Sequence, residues 1–212
     1  MATRGLFVTF EGMDGSGKTT QLRRLAAHLR ALGRTVLETA EPGGTAIGRK
    51  IRQILLDAGN QELSPTAELL LYFASRAQNV NESILPALDR GAIVLADRFT
   101  DSTMAYQGCA RGLGAEVVLA LDRIACRGLQ PDLTLLLEIS PDASLARARA
   151  RNSAATSPET RMDEQGLEFH RKVYEAYQAL AASEPNRVKR IDGAAPADDV
   201  ERAIWEVMRA YV

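Results

Sequence analysis

The sequence predicts an α/β fold in which a parallel sheet of five strands is covered by helices on both faces. Three observations support this prediction. Short apolar runs alternate along the chain with longer segments of helical periodicity. The first apolar run leads through a glycine-rich turn into a helix, and no repeat, low-complexity tract or linker divides the chain. Because 212 residues can bury one substantial core, we expect a single domain over residues 1–212.

The predicted strands are short runs, and the first, third and fourth are mostly apolar, which is the pattern of a strand buried on both faces of a parallel sheet. The runs are Leu6–Phe10, Thr35–Ala40, Ala92–Arg98, Asp132–Ile139 and Arg187–Asp192. Strands that alternate with helices are joined by right-handed crossovers, which make the sheet parallel. Ligands bind such sheets at the carboxyl ends of the strands, so the motifs at those ends are the candidate site.

The helices are predicted from apolar residues three or four apart and from capping residues. The apolar positions are Leu22, Leu25, Leu29 and Leu32 in the first helix, Phe169, Val173, Tyr177 and Leu180 in a later one, and Val200, Ile204, Val207 and Tyr211 in the last. Other helical patterns cover residues 46–57, 64–80, 116–125 and 140–151. Gly33 is a C-terminal cap, whereas Ser64 and Ser140 are N-caps followed by proline. The polar stretch Asn152–Thr160 is expected to be a mobile loop.

The glycine-rich turn contains a phosphate-binding loop motif. Gly12, Gly17, Lys18 and Thr19 fit the pattern G-x-x-x-x-G-K-[ST] between a predicted strand and helix, which is the context the motif requires. Lys18 would contact the β- and γ-phosphates of a nucleotide, and the Thr19 hydroxyl would bind Mg²⁺. The fold is therefore expected to be of the P-loop NTPase type. The nucleotide-binding residues would be Gly12, Met13, Asp14, Gly15, Ser16, Gly17, Lys18, Thr19 and Thr20.

Composition and charge narrow the class of protein. The net charge is −1 with no long charge run, which disfavours nucleic acid or a membrane surface as the main partner. No segment is apolar for long enough to span a membrane, and Arg4 precedes the first strand without the apolar stretch of a signal peptide. Cys109 and Cys126 lie far apart without metal-binding spacing, which predicts reduced thiols and a cytoplasmic location.

Two residues at the end of the third predicted strand indicate phosphoryl transfer. Asp97 is a candidate Mg²⁺ ligand, but the residue after it is Arg98, not the glutamate that activates water in many ATP hydrolases. The chain also lacks the Asn-Lys-x-Asp run of guanine-binding switch proteins. Arg98 is suited to bidentate binding of a second, acceptor phosphate, although a salt bridge at a strand end is the simpler alternative.

An arginine cluster lies beside the predicted mobile loop. Arg147 and Arg151 would share one helix face, Arg149 would point elsewhere, and Arg161 follows the loop. A run of charges is most often a solvated helix face, and this alternative stays open. The position favours a lid over residues 147–162, because phosphoryl transfer between two anions needs charge neutralisation and exclusion of water.

Phe73 and Arg76 lie three apart in a strongly apolar helix and would share a face. Phe73 could stack on a nucleobase while Arg76 bonds the edge of that base. The alternative is a core phenylalanine with an arginine that extends to the surface, and it would be preferred if this pair stood alone.

The chain resembles the thymidylate kinase family over nearly its whole length. The resemblance is carried by EGMDGSGKTTQ, EPGGT, YFASRAQ, DRFTDSTMAYQG and RARAR, in the order and spacing of that family. It implies ATP with Mg²⁺ as phosphoryl donor, dTMP as acceptor, and dTDP and ADP as products for DNA precursor synthesis. It also implies a cytoplasmic homodimer.

The resemblance implies roles for residues around the phosphates. Lys18 and the loop amides would hold the ATP phosphates, and Asp14 would contact the sugar 3′-hydroxyl of the acceptor. Asp97 would help to place Mg²⁺, and Arg98 would bind the acceptor phosphate. Glu41 of EPGGT is a further candidate substrate contact.

The resemblance also implies a base pocket. Phe73 would stack on thymine, Arg76 would bond its edge, and Thr103 and Gln107 would complete the pocket. Tyr106 would pack near the sugar 2′ position and disfavour ribonucleotides.

The source of the catalytic arginine differs among members of the family. The loop positions Met13–Ser16 hold no arginine, so the chain resembles the bacterial type whose arginine comes from the lid. In addition to Lys18 and Arg98, the catalytic candidates are Arg151 first, then Arg147, Arg149 and Arg161. Phe99 is Tyr or His in other members, a departure that affects local packing.

Two other functions remain open at this point. A deoxynucleoside kinase would have to deprotonate a 5′-hydroxyl, and Glu41 could act as its base. Arg98 and the lid arginines suit two phosphates better than one. The second alternative is a nucleotide-binding regulatory protein without turnover, or an assembly subunit.

Overall fold

A computed structural model describes residues 4–154 and 160–212, with the side chains of residues 151–154 left undescribed. Its sheet contains β1 (Phe7–Glu11), β2 (Val36–Ala40), β3 (Ile93–Asp97), β4 (Leu133–Glu138) and β5 (Val188–Asp192). The strand order is β2-β3-β1-β4-β5, and every neighbouring pair is parallel. The predicted strands and the parallel sheet are therefore confirmed.

Helices connect the strands and cover the sheet. They are α1 (Lys18–Ala31), α2 (Ala46–Leu56), α3 (Pro65–Asn79), α4 (Leu85–Asp89), α5 (Thr100–Thr103), α6 (Ala115–Cys126), α7 (Pro141–Ala154), α8 (Leu167–Ser183) and α9 (Ala197–Met208). The Ser64 hydroxyl accepts from the backbone N–H of Ala67 at the start of α3, as expected of an N-cap. Within the described part of the chain, no helix is long and apolar enough to cross a membrane.

Alternate residues of β1 enter separate cores on the two faces of the sheet. Phe7 packs in a cluster with residues of α3 and α6, whereas Val8 and Phe10 pack in a cluster with residues of α1 and α9. All three side chains are fully buried. The central strand is therefore covered on both sides, and its carboxyl end leads directly into the glycine-rich loop.

A third cluster lies beside that loop and supports the site. It brings Met13 of the loop together with Tyr106, Met162 and Tyr177, all of them buried. Tyr106 lies in a π-helical segment, Met104–Ala110, that continues α5.

Several local features differ from the sequence predictions. Neither that π-helical segment nor the one at Val80–Ile84 between α3 and α4 was expected. Leu32 and Tyr211 were expected to face the core, but they are exposed because α1 ends at Ala31 and α9 at Met208, whose side chain occupies the core position. α7 extends to Ala154, so the loop predicted from Asn152 begins later than expected. Most of that loop, residues 155–159, lies outside the described residues.

Candidate active site

The glycine-rich loop wraps around the amino end of α1. Gly15 has a φ of 74° and lies against α7, where an added Cβ would come within 2.7 Å of Arg147 Cβ. Only glycine fits this position, because the backbone is left-handed and the neighbouring helix leaves no room. The buried Lys18 ammonium donates to the carbonyl oxygens of Gly12 at 3.0 Å and Met13 at 2.8 Å. Burial, assisted by the Arg98 charge, lowers the pKa of Lys18 to about 8.

An oxygen pair suited to a hard cation lies at the edge of this loop. The Thr19 hydroxyl donates to Asp97 Oδ2, and both residues line the open cleft above Lys18. Mg²⁺ in nucleotide sites is held by one or two protein oxygens together with substrate phosphates. The donor set therefore fits Mg²⁺.

Arg98 is held directly opposite the loop. Its φ of 73° is unusual for a residue with a side chain, and it turns the guanidinium back over the end of the sheet. There Arg98 Nη2 donates to Asp14 Oδ1 at 2.8 Å and to Tyr106 Oη at 3.3 Å. Burial alone would raise the pKa of Asp14, but the charges of Arg98 and Lys18 outweigh it and hold that pKa well below its usual range.

Arg76 forms the wall of a smaller, deeper cavity. Its side chain is buried; Nε donates to Glu41 at 2.6 Å and Nη2 donates to Thr103 at 2.9 Å. The guanidinium lies over the rings of Phe73 and Phe99, at 4.9 and 5.0 Å. Nη1 has no hydrogen-bond partner within the described residues. A buried donor without a partner is costly, which makes Nη1 a candidate contact for a ligand.

The aromatic residue on this cavity differs from the sequence prediction. Phe73 is 4% exposed and packs in the core with Leu69 and Phe99, so it does not line the cavity. Tyr72 does line it, beside Arg76, Thr103 and Gln107. Phe73 and Tyr72 lie three and four residues before Arg76, so both can neighbour Arg76 on the helix surface. In this structure Phe73 packs in the core and Tyr72 lines the cavity.

The arginines of the expected lid occupy different environments. Arg147 Nη1 donates to the carbonyl oxygens of Gly15 at 3.3 Å and Gly193 at 3.1 Å, beside the phosphate cleft. Arg149 is exposed on α7. Arg151, the first candidate, has a side chain outside the described residues.

Arg161 is placed where a catalytic role does not fit. Its side chain is buried, forms an ion pair with Glu68 at 2.6 Å, and donates from Nε to the carbonyl oxygen of Leu55 at 2.6 Å. With these contacts the guanidinium connects α2 and α3 and does not line the phosphate cleft. The expectation that Arg161 acts on the phosphates is therefore corrected.

Comparison with known proteins identifies the family. The family model for thymidylate kinase matches residues 10–204. The chain belongs to the thymidylate kinase family.

Several thymidylate kinases are similar to it in sequence and structure. The protein from Pelobacter propionicus is 52% identical over 94% of this chain and 92% of its own length. The protein from Geobacter sulfurreducens is 49% identical over 96% of each chain. The crystal structure of thymidylate kinase from Ehrlichia chaffeensis has a TM-score of 0.79 at 30% identity and covers 97% of this chain and 99% of that one. The chain is therefore an enzyme of the nucleoside-monophosphate kinase class.

One residue of this thymidylate kinase site was missed in the sequence analysis. Glu11 ends β1 fully buried, and its carboxyl group accepts from the backbone N–H of Phe99 at 2.7 Å and from the Ser102 hydroxyl. Ser102 in turn accepts from Arg98 Nη1 at 2.9 Å, so Glu11 supports the acceptor side of the site from below. Burial and the Asp101 charge raise the pKa of Glu11 to about 7. A glutamate directly after the mostly apolar run Leu6–Phe10 is the sequence signal that could have found it.

Proposed function

We propose that this protein transfers the γ-phosphoryl group of ATP to dTMP, giving ADP and dTDP for DNA precursor synthesis. Membership of the thymidylate kinase family supports the reaction. The proposal rests on one observation: the cleft above Lys18 and the deep cavity beside Arg76 are adjacent, and Asp14 and Arg98 line both of them. A donor phosphate in the first and an acceptor phosphate at the mouth of the second would meet at these two residues.

The donor side is formed by the loop and the first turn of α1. Lys18 and the loop amides would hold the ATP phosphates, with the helix dipole adding to the positive potential. Thr19 and Asp97 would hold Mg²⁺, which neutralises phosphate charge when bound. The Lys18 contacts with Gly12 and Met13 keep its ammonium above the loop, close to where the phosphates would lie.

The acceptor side needs no general base. The phosphate oxygen of dTMP is already anionic at neutral pH, so in-line positioning and charge stabilisation suffice. Arg98 would hold the acceptor phosphate, since its guanidinium is fixed by Asp14 and Tyr106 and still lines both cavities. Asp14 would contact the sugar 3′-hydroxyl, and Tyr106 would fill the space of a 2′-hydroxyl.

The base would occupy the deep cavity. We infer that Tyr72, in place of Phe73, provides the aromatic surface for thymine, because Tyr72 lines the cavity. Arg76 Nη1 would donate to the base O4, and Thr103 and Gln107 would complete the pocket. Glu41 supports this arrangement from behind by holding Arg76.

The predicted lid, residues 147–162, would supply further positive charge to the phosphates. Arg147 already lies beside the phosphate cleft, so it would need only to exchange its carbonyl contacts for phosphate oxygens. Arg151 and Arg149 remain candidates on the same helix. An arginine that stabilises the transition state of phosphoryl transfer is worth about 10³-fold or more in rate.

We also propose that the enzyme is a homodimer. Large apolar side chains are about half exposed on the neighbouring helices α2, α3 and α6, and they are Ile47, Ile54, Leu70 and Val117. Exposed apolar side chains on helices that pack side by side favour burial against a second copy. A cytoplasmic location remains the prediction made from the two isolated cysteines.

The deoxynucleoside kinase alternative is disfavoured by the position of Glu41. Its two carboxylate oxygens accept from Arg76 at 2.6 Å and Asn79 at 3.0 Å, and the side chain is 4% exposed. A carboxylate held in this way is poorly placed to take a proton from a hydroxyl.

Product analysis tests the proposed reaction directly. Purified protein is incubated with ATP, Mg²⁺ and dTMP, and the mixture is followed by ³¹P NMR. We expect the dTMP signal to be replaced by those of dTDP and ADP in equal amounts, and Lys18→Ala to show no conversion. Release of inorganic phosphate without dTDP would contradict the proposal.

A further inference from the structure

A buried carboxylate outside the reacting groups organises one side of the deep cavity. Glu68, on the first turn of α3, is fully buried. It accepts hydrogen bonds from Gln107 Nε2 at 2.9 Å and from Arg111 at 3.2 and 3.3 Å, and it forms the ion pair with Arg161 at 2.6 Å. Two segments that are distant from α3 in sequence, at residues 107–111 and at Arg161, therefore converge on the Glu68 side chain.

These contacts fix how the carboxylate is oriented. Oε2 forms the ion pair with Arg161 Nη2 and accepts from Arg111 Nη2, whereas Oε1 accepts from Gln107 Nε2 and Arg111 Nε. Arg111 Nη1 also donates to Gln165 at 2.9 Å, and Gln165 donates to the backbone oxygen of Arg161 at 3.1 Å, which closes a ring around Glu68. Rotation of the carboxylate would break charge-assisted bonds on both sides.

The carboxylate determines which end of the Gln107 amide faces the cavity. An ionised carboxylate can only accept, so Gln107 must direct its Nε2 donor toward Glu68. Because Gln107 is 1% exposed and lines the same cavity as Arg76, its remaining polar atom, Oε1, is the one left for a bound base. The cavity then offers a donor, Arg76 Nη1, and an acceptor, Gln107 Oε1.

We propose that Glu68 is a positioning residue for base specificity, which holds Gln107 with its amide oxygen toward the acceptor base. The inference rests on the proposed function, since it assumes that the base occupies this cavity. Thymine and uracil present an O4 acceptor beside an N3–H donor and match this pair. Cytosine presents an amino donor beside an N3 acceptor. Its donor would face Arg76 Nη1 and its acceptor would face Gln107 Oε1, which leaves buried polar atoms unpaired.

The isosteric substitution Glu68→Gln gives a sharp test. Oε2 faces Nη2 of both arginines, whereas Oε1 faces only Arg111 Nε at 3.3 Å, so the amide oxygen of the new side chain should stay at the Oε2 position and its nitrogen should take the Oε1 position. Gln107 must then turn its own oxygen toward residue 68 and its nitrogen toward the base. We expect the ratio of kcat/KM for dTMP to that for dCMP to fall at least tenfold, mainly through a higher KM for dTMP.

Two control variants separate specificity from structural support. Arg161→Gln removes a different partner of Glu68 and leaves the Gln107 bond in place, so it should reduce turnover or stability but keep the dTMP to dCMP ratio within about threefold. In a Gln107→Leu background, Glu68→Gln should no longer change the ratio, because coupled residues are not additive. An unchanged ratio in Glu68→Gln, or an equal fall in Arg161→Gln, would overturn the inference.

The outcomes also distinguish this inference from the proposed function. If the wild-type enzyme shows no preference for dTMP over dCMP, the proposed base pocket fails. If the wild type prefers dTMP and only the Glu68→Gln effect is missing, the positioning role alone fails. Should Glu68→Gln not fold, NMR of the wild-type Gln107 side-chain amide, assigned with Gln107→Leu, supplies the test. Its nitrogen signal should move little when dTMP binds, and a large shift would mean that the nitrogen faces the base.

Discussion

Removing the Arg76 guanidinium should weaken dTMP binding without changing the phosphoryl-transfer step. Arg76→Met alone would leave Glu41 buried with Asn79 as its remaining side-chain partner, and breaking a buried ion pair costs about 3–5 kcal/mol. The informative variant is therefore Arg76→Met combined with Glu41→Gln, which removes the uncompensated charge. Glu41→Gln alone is the matched control.

The expected effect follows from the Nη1 atom of Arg76. Because Nη1 has no partner among the described residues, its bond to the base would be lost without any compensating internal bond. A hydrogen bond from a charged donor contributes about 1.5–3 kcal/mol, which corresponds to a rise of about 10- to 150-fold in KM for dTMP. The reacting phosphates would lie beside Arg98 and away from Arg76, so kcat and the KM for ATP should change by less than about threefold.

Steady-state kinetics with dTMP varied at saturating ATP measures this effect. Thermal unfolding of each variant shows whether the substitutions preserve the fold. A folded double variant with the KM for dTMP of the Glu41→Gln control would refute the assignment of the deep cavity to the base. A fall in kcat with unchanged KM would mean that Arg76 acts on the reacting phosphates instead.

Three further predictions concern charge, pH and assembly. The pKa of Lys18 is about 8 without nucleotide, and bound phosphates should raise it, so ATP affinity measured by calorimetry should fall up to about tenfold per pH unit above pH 8; a flat profile to pH 9.5 would contradict this role. The raised pKa of Glu11, about 7 against 4.5, means that its stabilising contribution is present below pH 4.5 and is lost as the pH rises through 7. Urea unfolding should therefore show Glu11→Gln gaining up to about 3 kcal/mol relative to wild type between pH 4.5 and 8, and an equal difference at both pH values would count against it. Leu70→Asp should convert a dimer to monomer in sedimentation velocity; a dimer that survives the substitution would place the interface elsewhere.

Three central strands could be predicted because each is a mostly apolar run, and the two edge strands because they alternate with helical patterns. The phosphate loop could be predicted because its residues are adjacent in sequence and lie between a strand and a helix. Residues brought together from distant segments were harder. The spacing of Phe73 and Arg76 indicated a shared face correctly, but only the packing of α3 against the sheet decides that Phe73 enters the core and Tyr72 lines the cavity.

The arginines show a second limit of prediction from sequence alone. Their position beside a polar loop made both Arg147 and Arg161 candidates, yet Arg147 lies beside the phosphate loop and Arg161 is buried against Glu68. Glu68 itself is an acidic residue at the start of a strongly apolar helix, and a buried carboxylate requires cationic partners. That pairing depends on the approach of α3, the segment from Gln107 to Arg111 and the turn at Arg161, which no local pattern encodes.

Acceptor selectivity is the most direct test of the proposed function. Purified enzyme with ATP and Mg²⁺ is assayed for ADP release with dTMP, dUMP, dCMP, dGMP, dAMP and thymidine as acceptors. The arrangement of Arg98, Arg76 and Gln107 predicts a much higher kcat/KM with dTMP than with dCMP, dGMP or dAMP, and no activity with thymidine, which lacks the phosphate that Arg98 would hold. Turnover of thymidine, or equal turnover of all monophosphates, would contradict it.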